Sequence, residues 1–224
     1  MEWIDIPALE TERLRLRAFR KSDIDDYAAL NADPEVMRCF GGELWERERS
    51  FRHMTFLVGH WRLLGTGMWA VELRETGEFL GMIGFAEPEG WPGFELAWTL
   101  ARRFWGHGYA TEGARAALEH AFTVWKRDRV ISLIREENRA SIRVAERLGE
   151  SLQGRTDLKG EEMLRYGIDR EAWLCGFASS IGGVSSMHYC AAGRPSTGGR
   201  ESVTLHEKGA WIARDPHPSG SSAG

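Results

Sequence analysis

The stretch from Phe94 to Glu112 limits the possible folds more than any other part of the chain. A strand-like run, Phe94-Glu95-Leu96-Ala97-Trp98-Thr99-Leu100, leads into the turn Arg103-Phe104-Trp105-Gly106-His107-Gly108 and then into a helix opening Tyr109-Ala110-Thr111-Glu112. Two glycines one residue apart let the backbone turn sharply and aim its N–H groups at one point. The helix end that follows adds about half a positive charge. The arrangement suits pyrophosphate, although a tight strand-to-helix turn also asks for glycine on steric grounds alone. Two other phosphate motifs are excluded. A Walker loop requires Gly-Lys-Ser/Thr where this chain has Gly108-Tyr109-Ala110, and the dinucleotide fingerprint requires Gly or Ala where it has Thr111.

The hydrophobic pattern around this turn defines a mixed architecture. Thr11 to Phe19 alternates, with Leu14, Leu16 and Ala18 against Arg13, Arg15 and Arg17, as a half-buried strand does. Ser22, as N-cap, and Asp23, Asp25 and Asp26 open a helix running to about Leu30, which Asn31-Ala32-Asp33-Pro34 breaks. Phe51, Met54, Leu57, Val58, Trp61 and Leu64 recur at helical spacing within Trp45 to Leu64, and Gly65 and Gly67 end that helix. Met68 to Arg74 and Glu78 to Phe85 form a hairpin about Glu75-Thr76-Gly77, and Phe94 to Ala101 adds a third antiparallel strand. Beyond the glycine turn come a helix from Ala110 to Trp125, a strand from Val130 to Ile134, a helix from Asn138 to Leu148, and strands at Ser151 to Arg155 and Met163 to Ile168.

Composition narrows the function classes. The chain of 224 residues is 42% apolar and 28% charged with a net charge of −4, so it offers no general positive field to nucleic acid or an anionic membrane, and an anionic ligand needs a local site. No signal peptide or membrane-spanning run is read, which gives the expectation of a cytoplasmic protein with no nucleic-acid or membrane partner. Cys39, Cys175 and Cys190 form neither a disulfide framework nor a metal-ligand spacing. A folded domain is expected over residues 1–173. The Gly/Ser-rich residues 174–224 are expected to be a disordered or loosely docked tail; His188, Cys190 and His206 could in principle touch a metal, but an unstructured tail with no metal is the expectation.

Three motifs in order give the chain a resemblance to a known family. Thr11-Glu12-Arg13-Leu14-Arg15-Leu16-Arg17, the segment Arg103 to Glu112, and Glu137-Asn138-Arg139-Ala140-Ser141-Ile142-Arg143-Val144-Ala145-Glu146-Arg147-Leu148-Gly149 together resemble the GCN5-related N-acetyltransferases (GNAT), in particular the RimJ/RimL-like branch that acetylates ribosomal-protein N-termini. The resemblance covers roughly residues 9 to 173. It implies an α/β (α+β) GNAT fold: a mixed, mostly antiparallel sheet splayed between its fourth and fifth strands and flanked by helices. It also implies acetyl-CoA as co-substrate, with pantetheine in the splay beside Trp98, Thr99 and Leu100, and pyrophosphate on Arg103, Phe104, Trp105, Gly106, His107, Gly108, Tyr109, Ala110 and Thr111. Asn138 and Ser141 are implied contacts of the pantetheine and of the region near its sulfur. Read without the resemblance, they are an N-cap and a surface polar residue. Relatives often dimerise, so a homodimer is an open expectation.

Acetyl transfer to an amine needs a base for the ammonium and an acid for the departing thiolate. Glu95 is the candidate base and Ser141 the candidate acid; Tyr109 and Tyr166 are fallback acids, Glu161 and Glu162 fallback bases. Glu150 stands where the family usually has an aromatic residue, which is expected to loosen packing or reshape the acceptor pocket. Trp45, Trp61 and Trp91 are candidates for an apolar acceptor groove. Peptide N-termini, small amines, antibiotics and polyamines remain open as acceptors, and a non-catalytic acyl-CoA sensor is the rival reading from another class.

Overall fold

The computed structural model describes residues 5–180, with side chains to residue 176. Residues 181–224, and with them His188, Cys190 and His206, lie outside the described residues. Eight strands form one sheet: β1 (Leu9–Glu10), β2 (Leu14–Arg17), β3 (Met68–Leu73), β4 (Phe79–Ala86), β5 (Glu95–Leu100), β6 (Arg129–Ile134), β7 (Ser151–Leu158) and β8 (Glu161–Asp169). Their spatial order is β1-β2-β3-β4-β5-β6-β8-β7. Every neighbouring pair is antiparallel except β5 and β6, which a helical crossover makes parallel. That pair is also the shortest: Glu95↔Ile131 is its sole register pair, whereas β4 and β5 match over six. Beyond it the two central strands part, as expected for the fourth and fifth strands when the β1 stub is not counted. The first strand differs from expectation: Thr11 turns back onto Leu14, so β1 and β2 make a small hairpin.

Helix α4 (Tyr109–Thr123) and helix α5 (Arg139–Leu148) follow β5 and β6 respectively, and α4 buries Ala114, Ala117, Leu118, Ala121 and Phe122 against the sheet. Trp61, Trp69, Phe85, Phe94 and Trp125 join that core, with Trp69 and Trp125 stacked at 5.7 Å and Phe85 and Phe94 at 4.4 Å. Contacts of this kind add about 0.5–1.5 kcal/mol each beyond area burial. A separate core joins the sheet to α1 (Ile24–Asn31), α2 (Pro34–Met37) and α3 (Arg47–Leu64). On α3 the buried stripe is Ser50, Met54, Leu57 and Trp61. Phe51 and Val58, each one step from the stripe and so rotated by about 100°, are 41% and 43% exposed, and Leu64, at the last position of the helix, is 49% exposed.

At the start of α1 the cap is Asp23 rather than Ser22, and its carboxylate has a further task. Arg17, expected on a solvated strand face, is buried between Asp23 at 2.7 Å and Glu72. Asp23 also accepts the Arg20 backbone N–H at 2.7 Å, so the three charges tie β2 and β3 to the start of α1. The last helix, α6 (Arg170–Ser180), runs through the expected domain boundary at Trp173, whose ring packs against Phe122.

Candidate acyl-transfer site

The glycine turn has the shape that its sequence requires. Gly106 and Gly108 both hold φ of +82°, and a methyl group added at Gly106 would meet no atom within 4 Å, so the backbone faces open space there. The N–H groups of Gly106, His107 and Gly108 find no acceptor among the described residues, and the first helical N–H groups of α4 are free by construction. The Thr111 hydroxyl is buried without a hydrogen-bond partner. Unfilled backbone donors facing open space at a helix N-terminus fit an anionic group such as pyrophosphate.

The side chains of the turn mostly face elsewhere. Phe104 is buried in the core, the Trp105 indole donates to the Leu100 carbonyl at 2.7 Å, and Arg103 lies over the Phe104 ring and pairs with Glu78. His107 stacks on Tyr109 at 5.6 Å. The turn therefore presents backbone rather than side chains, and the first hairpin supports it. Arg13 donates to the His107 carbonyl at 3.1 Å, pairs with Glu112 at 2.6 Å and covers the Tyr109 ring, while Thr11 donates to Glu112 at 2.6 Å. These bracing roles were missed in the sequence, where Thr11 and Arg13 read only as strand residues. An acidic residue in the first turn of α4 opposite an arginine was the available signal.

The residues read as base and acid flank the split between β5 and β6 from opposite faces of the sheet. Glu95 alternates with Ala97, which packs in the core beneath α1 and α3, whereas Trp98 points to the side of α5. Glu95 is 8% exposed; its carboxylate accepts from the Trp91 indole at 2.6 Å and from the Leu133 backbone N–H. Burial pushes its pKa up to about 7 against the pull of those donors, so the group changes charge near neutrality.

On the other face, Asn138 is an N-cap, accepting the Ser141 N–H at 3.1 Å, as its reading without the resemblance had it. Ser141 Oγ accepts from the Trp98 indole at 3.2 Å, across the split from α5 to β5. With that lone pair engaged, the hydroxyl hydrogen is free to be donated. A cavity of about 180 Å³ lined by Cys39, Arg135, Asn138, Arg139 and Ala140 opens at the start of α5. A wider depression of about 370 Å³ lies at the N-terminal ends of β5 and β6, lined by Phe94, Arg127, Arg129 and Arg165, away from the glycine turn.

The fallback groups are engaged elsewhere. On β8, Glu161 pairs with Arg135, which follows β6, and Glu162 pairs with Arg155 of β7, while Tyr166 is buried behind α5. Trp61 is in the core, which removes it from any acceptor groove; Trp91 and Trp45 remain half-buried. Glu150 does not loosen the packing. It is 4% exposed, contacts Ser132 Oγ at 3.1 Å, and burial pushes its carboxyl up to about 8, the Ser132 hydroxyl offsetting part of the rise and the Glu95 charge adding to it.

A splayed parallel pair, an open glycine turn at a helix N-terminus and a buried carboxyl beside the split are arranged as in a coenzyme-dependent acyl-transfer fold. The family model described as "Acetyltransferase (GNAT) domain" matches residues 13–150, and the chain belongs to the GNAT acetyltransferase family. It is an acetyl-CoA-dependent acyltransferase. Among its relatives, YkkB of Bacillus subtilis is 35% identical over 63% of this chain and 83% of its own length. The FsC-acetyl coenzyme A-N(2)-transacetylase of Aspergillus fumigatus is 32% identical over 75% and 78% respectively. The crystal structure of an acetyltransferase from Agrobacterium tumefaciens superimposes with a TM-score of 0.66 at 32% identity, covering 75% of this chain and 97% of that one. The ribosomal L7/L12 N-terminal acetyltransferase RimL, solved with coenzyme A, shares the fold with a TM-score of 0.63 at 19% identity over 74% and 99%.

Proposed function

We propose that this enzyme acetylates a primary amine, either a peptide N-terminus of the kind RimJ/RimL-like enzymes use or a small monoamine, with Glu95 as general base and Ser141 as general acid. The observation that carries this reading is the buried Glu95 carboxyl, held by Trp91 and Leu133 in the split, with its pKa pushed up to about 7. At that value the group is ionised often enough to take a proton from an ammonium and basic enough to do so effectively. The co-substrate's thioester supplies the acetyl group. Its pyrophosphate is assigned to the backbone of Arg103 to Ala110 with the Thr111 hydroxyl, and its pantetheine to the edge Trp98-Thr99-Leu100, Asn138 and Ser141. Trp98 fixes Ser141 so that its free hydrogen is available to the leaving sulfur.

A polyamine fits less well. Lys159 on the β7–β8 turn stands 5.6 Å over the Trp91 ring, which brings positive charge to the side from which Glu95 is reached. Calorimetric titration with acetyl-CoA tests the cradle, with Gly108→Trp as the negative: binding that survives the substitution removes the loop assignment. A screen of peptide N-termini, monoamines and polyamines, monitored by free thiol release, tests the acceptor class. Binding without turnover on any amine would instead support a sensor module.

A further inference from the structure

The mechanism above leaves one buried ionisable group unused. Glu150 follows the C-cap glycine of α5, and its backbone N–H is taken by the Ala145 carbonyl. Its side chain enters the β5/β6 split from the α5 side, while Glu95 enters from the opposite face. Among the described residues no cation pairs with Glu150. Neither carboxyl forms an ion pair among the described residues; Arg165, opposite Leu133 in the β8 register, stands on the face of Glu95 and lines the depression there, and Tyr166, opposite Ser132, is the β8 residue on the face of Glu150. Glu150 Oε2 is buried without a hydrogen-bond partner.

Hydrogen-bond accounting at Ser132 assigns the proton. Ser132 Oγ lies 2.9 Å from the Leu96 carbonyl and 3.1 Å from Glu150 Oε1. A hydroxyl has one hydrogen and a carbonyl can only accept, so the serine hydrogen belongs to Leu96. The contact with Glu150 then requires a hydrogen on the carboxyl. The alternative, Ser132 donating to an ionised Glu150, strips the Leu96 carbonyl of its donor just where the β5–β6 ladder has ended, and leaves a charge in the core with one oxygen unpaired. Glu95 has the converse environment, two N–H donors aimed at it, which suits the ionised form.

We propose that Glu150 is a protonated positioning residue of the acyl-transfer site: its carboxylic acid donates to Ser132, Ser132 donates to the Leu96 carbonyl, and this chain sets the spacing of β5 and β6 while leaving Glu95 the sole charge between them. Loss of the Glu150 proton reverses the chain. Ser132 turns to the carboxylate, the Leu96 carbonyl loses its donor, and a second negative charge enters beside Glu95. The split, and with it the grip on the pantetheine arm, weakens in alkali. This inference rests on the reading of Glu95 as base for its catalytic meaning, but its structural content does not.

The test uses the full chain labelled with [δ-13C]glutamate, titrated by NMR between about pH 5 and about pH 10, with acetyl-CoA affinity measured by calorimetry near pH 7 and near pH 9.5. The wild type should show a glutamate carbon still protonated at neutral pH that is missing in Glu150→Gln. Its acetyl-CoA affinity should fall roughly fivefold between the two pH values, as for one lost hydrogen bond. Glu150→Gln, which donates at every pH, should lack that decline; Glu150→Leu, which cannot donate, should bind more weakly at both. A Glu150 carbon already ionised at neutral pH, or an alkaline decline persisting unchanged in Glu150→Gln, overturns the proposal. Turnover retained in Glu95→Gln would overturn the base assignment instead, with the carbon titration unaffected.

Discussion

Glu95→Gln should make the protein more stable and less active, with a stability gain that depends on pH. The Glu95 carboxyl rises from its ordinary 4.5 to about 7 because burial penalises the charged form. The folded state therefore holds the proton more tightly than the unfolded chain does. The stability linked to this group is fully present below pH 4.5 and is lost as pH rises to about 7. At about 1.4 kcal/mol per tenfold change in proton affinity, the ionised group costs folding on the order of 3 kcal/mol above that window. Glutamine imitates the protonated acid, including the mismatch between one donor of its own and the N–H groups of Trp91 and Leu133. Urea unfolding should thus place the variant within about 1 kcal/mol of the wild type near pH 5 and about 2–3 kcal/mol above it near pH 8. Turnover should fall about 10²–10⁴-fold, the usual contribution of a general base. An equal stability change at both pH values would refute the reasoning, because the cost would then lie in shape and not in ionisation.

Arg17→Ala should lower unfolding stability by about 3 kcal/mol in urea melts, since it leaves buried Asp23 without a cation and Glu72 with only the longer contacts to Arg15 and Arg20. Trp98→Phe removes the donor that fixes Ser141 and should lower kcat several-fold with little change in KM for the amine, which steady-state kinetics will read. Arg13→Ala should raise the acetyl-CoA Kd by roughly three- to tenfold in calorimetry, because the His107 carbonyl and Glu112 lose their brace while the glycines remain.

The sheet and its helices were legible because periodicity reports burial directly: the alternation of β2, the spacing of α4 and the closing glycine of α5 each have one structural solution. The glycine turn was legible for the same reason, since two positive-φ positions one residue apart call for glycine. What periodicity cannot show is which charges the fold will bury together. Arg17 reads as solvated until Glu72 and Asp23 meet it from distant segments. Glu150 reads as a disruption of a usually aromatic position until Ser132 supplies its partner. Asn138 and Ser141 show a different limit. Their local roles as cap and first-turn residue follow from sequence, but only the crossing of Trp98 over the split connects Ser141 to β5.

The bracing of the glycine turn by the first hairpin also orders events in time. Thr11 and Arg13 bond Glu112 and His107 across sequence separations of 94 to 101 residues. Contacts that span such distances form late, because loop-closure entropy must be met before they return anything. During synthesis the hairpin is made early and waits, without its partners, until nearly half the chain has followed it. The glycine turn is therefore expected to become rigid only after this long-range bracing has formed.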